Sequence, residues 1–199
     1  MRRIVTFNHV SADGYFAAPD GNLNWVVSDD DVAAAGVQDM SECDTILFGR
    51  RTYEMFEAFW PHALDGSDTA ADPHHPERRS ATIRDIAVWI NEARKIVFSR
   101  TLTDVRWHNA ELRPTLDVRA VEAMKREPGK NMMLFGSGSV VSQLTQHGLI
   151  DEYQFVVSPT LLGSGRTLLD GVTRSTPLEL AETRRFGSGS VMLRYIREP

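Results

Sequence analysis

The chain has 199 residues, of which 42% are hydrophobic and 25% are charged, and its formal net charge is −5. These values are typical of one globular domain over residues 1–199, and they exclude disordered, collagenous and membrane-spanning classes. The negative charge argues against a nucleic-acid partner, and the single cysteine excludes an internal disulfide and a cysteine-based metal site. Polar residues from Asn8 to Asp13 interrupt the apolar region that a signal peptide needs, so we expect a cytoplasmic protein without a membrane partner.

Two strands and two helices are predicted in the first third of the chain. Residues 3–10 are rich in β-branched and aromatic types, which indicates a buried strand followed by a polar turn. The acidic triplet 29–31 favours the start of a helix that continues to about Ser41. Residues 45–48 predict the next strand, and the helix after it is expected to have Thr52 as its N-cap and an aromatic stripe facing the core.

The middle of the chain contains a polar segment, residues 61–80, which is expected to form a long surface loop because of its glycine and prolines. An amphipathic helix over residues 83–90 and a strand over residues 95–98 are predicted after it. Adjacent histidines in a loop are more often solvated than metal-bound, so we expect no metal site. The side chains that would form the alternative metal site are His62, Asp72, His74 and His75.

The last part of the chain alternates strands with helices and ends in a hairpin. The predicted elements are a short strand over 105–108, a helix over 115–127, a strand over 131–135, a helix over 139–147, a strand over 152–157, and two antiparallel strands over 178–185 and 190–197.

This order of elements indicates an α/β fold. Strands that alternate with helices form a mostly parallel central sheet covered on both faces, and the terminal hairpin adds antiparallel strands at one edge. Ligands of such sheets bind at the carboxyl ends of the strands. Four polar stretches follow predicted strands and are therefore expected to line one cleft, namely residues 10–14, 49–52, 99–101 and 136–139.

The last of these stretches, Gly-Ser-Gly-Ser at 136–139, is predicted to join a strand to a helix. Glycines let the backbone approach a ligand, and the first N–H groups of the helix then face it, which favours an anion site. A third glycine of the G-x-G-x-x-G pattern would fall at Val141, so the Rossmann fingerprint is incomplete. A plain tight turn into a helix is the alternative interpretation.

Three segments resemble, in order and rough spacing, the NADPH-contacting junctions of the dihydrofolate reductase fold: ILFGRRTYE at 46–54, VFSR at 97–100 and LFGSGS at 134–139. SADG at 11–14 and the segment 149–165 are similar to the reductase domain of the bifunctional riboflavin-biosynthesis deaminase-reductase. The whole chain resembles a stand-alone relative of that domain. The resemblance implies a three-layer α/β/α dihydrofolate reductase-like fold, NADPH as the cofactor and a homodimer, which a sedimentation measurement showing only monomer would contradict.

The same resemblance implies roles for individual residues. Arginine favours NADPH over NADH, because its guanidinium group pairs bidentately with phosphate oxygens. The implied cofactor-binding residues are Val10, Gly49, Arg50, Arg51, Thr52, Ser99, Arg100, Thr101, Phe135, Gly136, Ser137, Gly138, Ser139 and Val140. The implied substrate-binding residues are Asp13, Trp25, Asp30 and Phe56, and Asp13 or Asp30 would supply a proton, directly or through water. Turn formation by Asp13 and helix capping by Asp30 are the alternatives.

The sequence also departs from the two families. Trp25 and Asp30 have the spacing that dihydrofolate reductases use for the pterin, but the usual proline between them is absent. Tyr15 stands where the riboflavin enzymes have a basic residue, and no zinc deaminase is present. The hypothesis is therefore an NADPH-dependent reductase that transfers hydride to a C=N or C=O group of a small pterin-, pyrimidine- or sugar-like substrate. A nucleotide-binding module without catalysis is the alternative, and a hydrolase is disfavoured because no G-x-S-x-G element occurs.

Overall fold

A computed structural model gives the fold of the chain and describes residues 1–198. The strands of this part are β1 (Ile4–Ser11), β2 (Cys43–Gly49), β3 (Ala70–Ala71), β4 (Arg79–Ser80), β5 (Arg94–Phe98), β6 (Ala110–Arg113), β7 (Asn131–Phe135), β8 (Glu152–Ser158), β9 (Leu178–Arg185) and β10 (Val191–Arg197). Its α-helices are α1 (Asp30–Ser41), α2 (Arg50–Phe59), α3 (Ala81–Glu92), α4 (Val118–Arg126) and α5 (Gly138–Gln146), and a 3₁₀ turn covers Trp60–His62. Within residues 1–198, every helix is too short or too polar to cross a bilayer.

Eight strands form one sheet in the order β6-β5-β2-β7-β1-β8-β10-β9. The strands from β6 to β8 are parallel to their neighbours, whereas β10 is antiparallel to both β8 and β9. The two short strands β3 and β4 form a separate ribbon. The structure confirms the predicted α/β fold with a mostly parallel central sheet and a terminal antiparallel hairpin.

Side chains of the central strands alternate between two apolar cores, one on each face of the sheet. In β2, Ile46 and Phe48 pack in the core beneath α1, α2 and α3, whereas Leu47 packs in the core beneath α4 and α5. The same alternation occurs in β7, where Met133 belongs to the first core and Leu134 to the second. Burial of a side chain of this size contributes about 1.5–3 kcal/mol to folding. The alternation therefore fixes helices on both faces and gives the three layers that were expected.

The sheet has an opening at its carboxyl edge. Strand β7 ends at Phe135, which is paired with Phe7 of β1, but β1 continues to Ser11. Residues 8–11 pair with β8 on one side only, so in the described chain their other side faces the turn that follows β7. This opening positions the site described below.

One strand prediction was wrong. Residues 105–108 are not a strand, and the strand of this region is β6, which begins at Ala110. The reason is Trp107, which turns its ring into the core instead of alternating along a sheet edge. The indole Nε1 of Trp107 donates to Asn91 Oδ1 at 2.8 Å, and its backbone N–H donates to the Tyr53 hydroxyl at 3.3 Å. The helix predicted over 115–127 is also shorter, because Asp117 caps it through the N–H of Arg119 at 2.9 Å.

The polar segment 61–80 is more ordered than the loop that was expected. It contains the β3–β4 ribbon, and the Arg79 guanidinium bonds Asp65 and Ser67 within the same segment. The segment is attached to the region before α1, because the Ser28 hydroxyl donates to the Asp72 carboxylate. Among the described residues, no group of three or more histidine, cysteine or acidic side chains is arranged to hold a metal ion.

Candidate functional site

A cleft of about 1480 Å³ lies at the carboxyl ends of four adjacent strands, β5, β2, β7 and β1. Pockets for small ligands are usually about 300–1,000 Å³, so this cleft has room for a ligand larger than one metabolite. Three of the four predicted stretches line it, at 49–52, 99–101 and 136–139. The fourth, 10–14, does not, and Phe7, Asn8 and His9 of β1 take its place.

The turns after β2 and β7 are joined by one serine. The backbone N–H of Gly49 donates to Ser137 Oγ at 2.9 Å, and the backbone N–H of Ser137 donates to Thr52 Oγ1 at 3.0 Å. Gly136 and Ser137 both have positive φ, +47° and +56°, a backbone conformation that residues other than glycine rarely adopt. Gly49, not Thr52, is the N-cap of α2, because Thr52 Oγ1 is engaged by the other turn. The two turns therefore form one hydrogen-bonded unit.

The helices that start at these two turns have no side-chain caps. In α1, α3 and α4 the side chains of Asp29, Ser80 and Asp117 accept hydrogen bonds from the first turn. The N-caps of α2 and α5, Gly49 and Ser137, make no such bond, and neither helix has an acidic residue in its first turn. Free N–H groups and the positive end of the helix dipole attract anions. Both uncapped ends face the cleft, which makes it suited to an anionic ligand.

Four arginines line the cleft: Arg50, Arg51 and Arg100 at the turns after β2 and β5, and Arg166, whose guanidinium lies beside Gly21. Arg50 has only a long contact, Nη1 to Glu54 at 3.4 Å, and it is exposed. Arg51 and Arg100 are exposed and make no ion pair or side-chain hydrogen bond within residues 1–198. These guanidinium groups are available to a ligand. Arg166 was not predicted, although it directly follows the glycine-rich stretch 163–165 that the family resemblance covered.

The deeper part of the cleft, which we call the inner arm, lies between β1, α1, α2 and α3 and is lined mainly by apolar side chains. Phe56, predicted to contact substrate, is on its wall. The Phe56 ring is 5.6 Å from that of Phe135 and 6.0 Å from that of Trp60, measured between centroids. The apolar residues of the inner arm are Phe7, Val26, Val27, Val32, Ala33, Gly36, Met40, Met55, Phe56, Phe59, Trp60, Pro73, Ile83, Ile86, Ile90 and Phe135.

Two polar residues of β1 face the cleft and were missed by the sequence interpretation. Asn8 is only 3% exposed, and neither polar atom of its amide has a partner in the described structure. An unpaired buried amide is costly in a folded protein, so its presence at a cleft indicates a ligand contact. The ring of His9 is edge-to-face with that of His74, with centroids 6.0 Å apart. The sequence predicted only a buried strand over residues 3–10, and nothing in that pattern indicated that these two side chains face a cleft.

Four aspartates line the cleft, Asp20, Asp29, Asp72 and Asp170, and the two beside the inner arm, Asp29 and Asp72, already accept hydrogen bonds. Asp72 accepts the backbone N–H of His74 at 2.8 Å as well as the Ser28 hydroxyl. Asp29 accepts the N–H of Asp31 at 2.9 Å and that of Ser188 at 3.1 Å. Burial alone would raise the pKa of Asp29, but these hydrogen bonds outweigh it and the pKa is lowered. Asp29 therefore faces the cleft as a carboxylate.

The structure does not bring the two predicted catalytic acids into the cleft. Asp13 is exposed and holds its own loop, since it accepts from Ser11 Oγ at 2.6 Å and from the N–H of Gly163 at 2.7 Å. The hydrogen bond from Ser11 is the main reason that the pKa of Asp13 is lowered. Asp30 is exposed at the first position of α1, because Asp29 is the residue that caps this helix.

Three further predicted residues lie behind or beside the cleft. Trp25 lines a separate, smaller cavity with His75 and Arg78, so it does not reach the inner arm. Val10 and Val140 are buried and support the site from beneath. A Cβ added to Gly49 would lie 3.3 Å from Val140 Cγ2, which shows how closely the two turns pack.

The loop between β1 and α1 packs beside the first residue of α5. A Cβ on Gly138 would lie 2.9 Å from Phe16 Cζ, so only glycine fits under this ring. The loop is held by two backbone hydrogen bonds, Phe16 N–H to Arg166 O and Arg166 N–H to Ala17 O, both at 2.9 Å. Phe16 and Arg166 thus form one wall of the cleft.

We expect His9 to make the folded protein sensitive to acid. Burial, together with the nearby His74, lowers the pKa of His9 from 6.5 to about 3. A lowered folded-state pKa means that the stability contribution is complete above pH 6.5 and is lost as the pH falls towards 3. His9→Gln should therefore reduce the loss of unfolding free energy between pH 7 and pH 5 by about 1–2 kcal/mol. Urea unfolding of both proteins at the two pH values measures this, and equal losses would contradict it.

Comparisons with known proteins agree with this architecture. The model of the family described as the RibD C-terminal domain matches residues 2–192. The uncharacterized protein YyaP of Bacillus subtilis is 28% identical over 98% of this chain and 95% of its own length. A candidate riboflavin biosynthesis protein from Shewanella sp. PV-4 has a similar structure, with a TM-score of 0.74 at 20% identity over 99% of both chains.

A larger protein has a similar fold in part of its length. The diaminohydroxyphosphoribosylaminopyrimidine deaminase/5-amino-6-(5-phosphoribosylamino)uracil reductase of Thermotoga maritima aligns with 99% of this chain and 57% of its own, with a TM-score of 0.65 at 15% identity. At these identities the solved structures show the fold alone.

Proposed function

Because this chain belongs to the RibD C-terminal domain family, whose fold is of the reductase type, we propose that it is an NADPH-dependent reductase of a small C=N or C=O substrate. The observation that carries the proposal is the pair of uncapped helix ends beside unpaired arginines at the carboxyl edge of the sheet. Such an arrangement suits a ligand with several phosphates next to a neutral ring. The inner arm then provides space for a second, smaller molecule.

The residues present fit NADPH. The free N–H groups at the start of α2 and α5 would bind the pyrophosphate. Gly136 suits the turn before α5 because its φ is +47°, a value that favours glycine. Arg51 and Arg100 would bind the 2′-phosphate. The unpaired amide of Asn8 would meet the carboxamide in the opening beside β1. In the described chain, the side chains of Arg51, Arg100 and Asn8 have no hydrogen-bond partner, and the starts of α2 and α5 have no side-chain cap.

NADPH, when bound, supplies a hydride to the carbon of a C=N or C=O group. The protein contributes orientation and exclusion of water through the walls of the inner arm. Neither Asp29, whose pKa is lowered, nor His9, whose pKa is about 3, is a ready proton donor near neutral pH. Since Asp13 and Asp30 lie outside the cleft, we assign the proton to water entering at its mouth.

A nucleotide-binding module without catalysis is the second candidate. One observation favours it, because the groups best placed to donate a proton are deprotonated or outside the cleft. The two candidates agree on cofactor binding and differ only in turnover.

The function is tested by titrating the protein with NADPH and then following NADPH absorbance with carbonyl, imine and dihydropterin compounds. We expect a Kd in the micromolar range or tighter and substrate-dependent oxidation of NADPH. Binding without oxidation of NADPH by any compound would identify the module. Absence of NADPH binding would refute both candidates.

Three expectations from the sequence stay proposals. The chain would act as one domain, as a homodimer and in the cytoplasm. Limited proteolysis, sedimentation velocity and cell fractionation would test them in turn, and separable fragments, a monomer or a membrane-bound pool would contradict the respective expectation.

A further inference from the structure

Positive charge is unevenly distributed in the cleft. All four lining arginines lie in the part formed by the turns after β2, β5 and β7 and by Arg166 with its neighbour Phe16. Within the described residues, the wall of the inner arm contains neither lysine nor arginine. A phosphate placed in the inner arm would therefore lose water without gaining a cation, and burial of an unpaired charge is strongly unfavourable.

Two carboxyl groups beside the inner arm would also repel a phosphate. The two histidines that line the cleft there, His9 and His74, have lowered pKa values and supply no cation near neutral pH. Asp29 and Asp72 line the cleft next to Val26, Ser28 and the start of α1. Asp29 accepts hydrogen bonds from backbone N–H groups that lower its pKa, so it faces the cleft as a carboxylate. The carboxyl group of Asp72 accepts the N–H of His74 at 2.8 Å. Like charges in a partly buried site repel more strongly than in water. The inner arm thus selects against anions from two sides, by lacking cations and by presenting carboxylates.

The chemistry of the walls favours an aromatic ligand. The rings of Phe56, Phe135 and Trp60 form a continuous aromatic surface, with centroids 5.6–6.0 Å apart. Gly36 is in the middle of α1, and a Cβ there would lie 3.5 Å from Met40 Cε and 3.6 Å from Phe7 Cζ, so a larger side chain would crowd these two residues of the inner arm. Glycine weakens a helix, so its presence in α1 has a cost in stability. Aromatic walls favour an aromatic ligand, which they contact through offset-stacked or edge-to-face arrangements.

We propose that the inner arm binds an uncharged, flat aromatic substrate that carries no phosphate. The inference rests on the proposed function, because the inner arm adjoins the part of the cleft assigned to NADPH. It separates this chain from the Thermotoga maritima protein, whose named substrate, 5-amino-6-(5-phosphoribosylamino)uracil, carries a phosphate. Aromatic aldehydes, quinones and cyclic imines are the compounds of this class that a hydride could reduce.

Binding of 2-naphthol and of 2-naphthyl phosphate, which differ only by the phosphate, tests the inference by calorimetry with and without NADPH. We expect 2-naphthol to bind at least tenfold more tightly than 2-naphthyl phosphate. Equal or tighter binding of the phosphate ester, or no binding of 2-naphthol, would overturn the inference. The NADPH titration is a separate measurement. It therefore distinguishes a failure of the proposed function from a failure of the inference that the inner arm binds an uncharged aromatic ligand.

The location of the probe is tested by Gly36→Leu, which fills the inner arm. This variant should weaken 2-naphthol binding at least tenfold and change the Kd for NADPH less than twofold. Gln38→Leu adds the same side chain to an exposed position of α1 and is the matched control. If circular dichroism shows that Gly36→Leu is unfolded, Ala33→Phe, on the same wall, replaces it. Unchanged 2-naphthol binding in the folded variant would overturn the assignment.

Discussion

Replacement of Arg50, Arg51 and Arg100 together by alanine is expected to weaken NADPH binding about 100- to 1,000-fold. NADH binding should weaken much less, since the two coenzymes differ only in the 2′-phosphate. Each hydrogen bond from a guanidinium to a phosphate contributes about 1.5–3 kcal/mol, and two such bonds account for the expected loss. Calorimetric titration of both coenzymes at one fixed ionic strength measures it, because salt screens exposed charges.

The control for this experiment removes the same charge elsewhere. Arg119, Arg126 and Arg185 are exposed and lie outside the cleft, so their joint replacement by alanine changes the net charge equally. We expect this variant to bind both coenzymes like the wild type. Equal losses of NADPH and NADH affinity in the first variant would refute the assignment of the arginines to the 2′-phosphate.

Ser137→Ala is expected to lower the free energy of unfolding by about 2–3 kcal/mol. The substitution leaves the buried N–H of Gly49 without its acceptor at 2.9 Å, and an unsatisfied buried donor costs about 1–3 kcal/mol. NADPH affinity should fall as well, since the two turns lose the bond that holds them together. Urea unfolding and a coenzyme titration of the same sample measure the two effects.

Two further variants separate the hydrogen bond from the backbone conformation. Ser137→Gly loses the same bond but relieves the positive φ of +56°, so we expect it to be about 1 kcal/mol more stable than Ser137→Ala. Ser142→Ala removes a hydroxyl from α5 that has only a 3.4 Å contact within its own helix, and it should be close to the wild type. Wild-type stability of Ser137→Ala would show that the link contributes nothing.

The central part of the fold was predictable because local sequence and tertiary context agree there. The apolar runs at 45–48 and 131–135 have the length of buried strands and are short for helices, and each is followed by glycine, which marks the strand end. Since parallel strands end at one edge, three of the four polar stretches could be placed in a single cleft from sequence alone. The contribution of Thr52 was predicted in the wrong form, because its partner lies in a turn 85 residues away.

The acidic residue that faces the cleft could not be predicted, because the side that each side chain faces depends on the residue at which α1 begins. The spacing of Trp25 and Asp30 pointed to a substrate contact, yet Asp29 faces the cleft and Asp30 faces solvent. Asp29 is the N-cap of α1. Successive residues of a helix differ in direction by about 100°, so a start one residue later would point a different side chain at the cleft. His9 and His74 meet only through tertiary structure, since a β-ribbon far along the chain carries the second ring to the first strand.

The freedom of Arg51 and Arg100 separates coenzyme preference from folding. Neither side chain makes a bond within the described chain, so their loss should change stability by no more than about 0.5 kcal/mol. Ser137, Gly136 and Thr52, by contrast, are tied into the backbone and tolerate little change. Under the proposed assignment, substitutions at these two exposed positions would change the preference for NADPH over NADH while the hydrogen-bonded turns beneath stay folded. Coenzyme preference and folding stability would then depend on different residues.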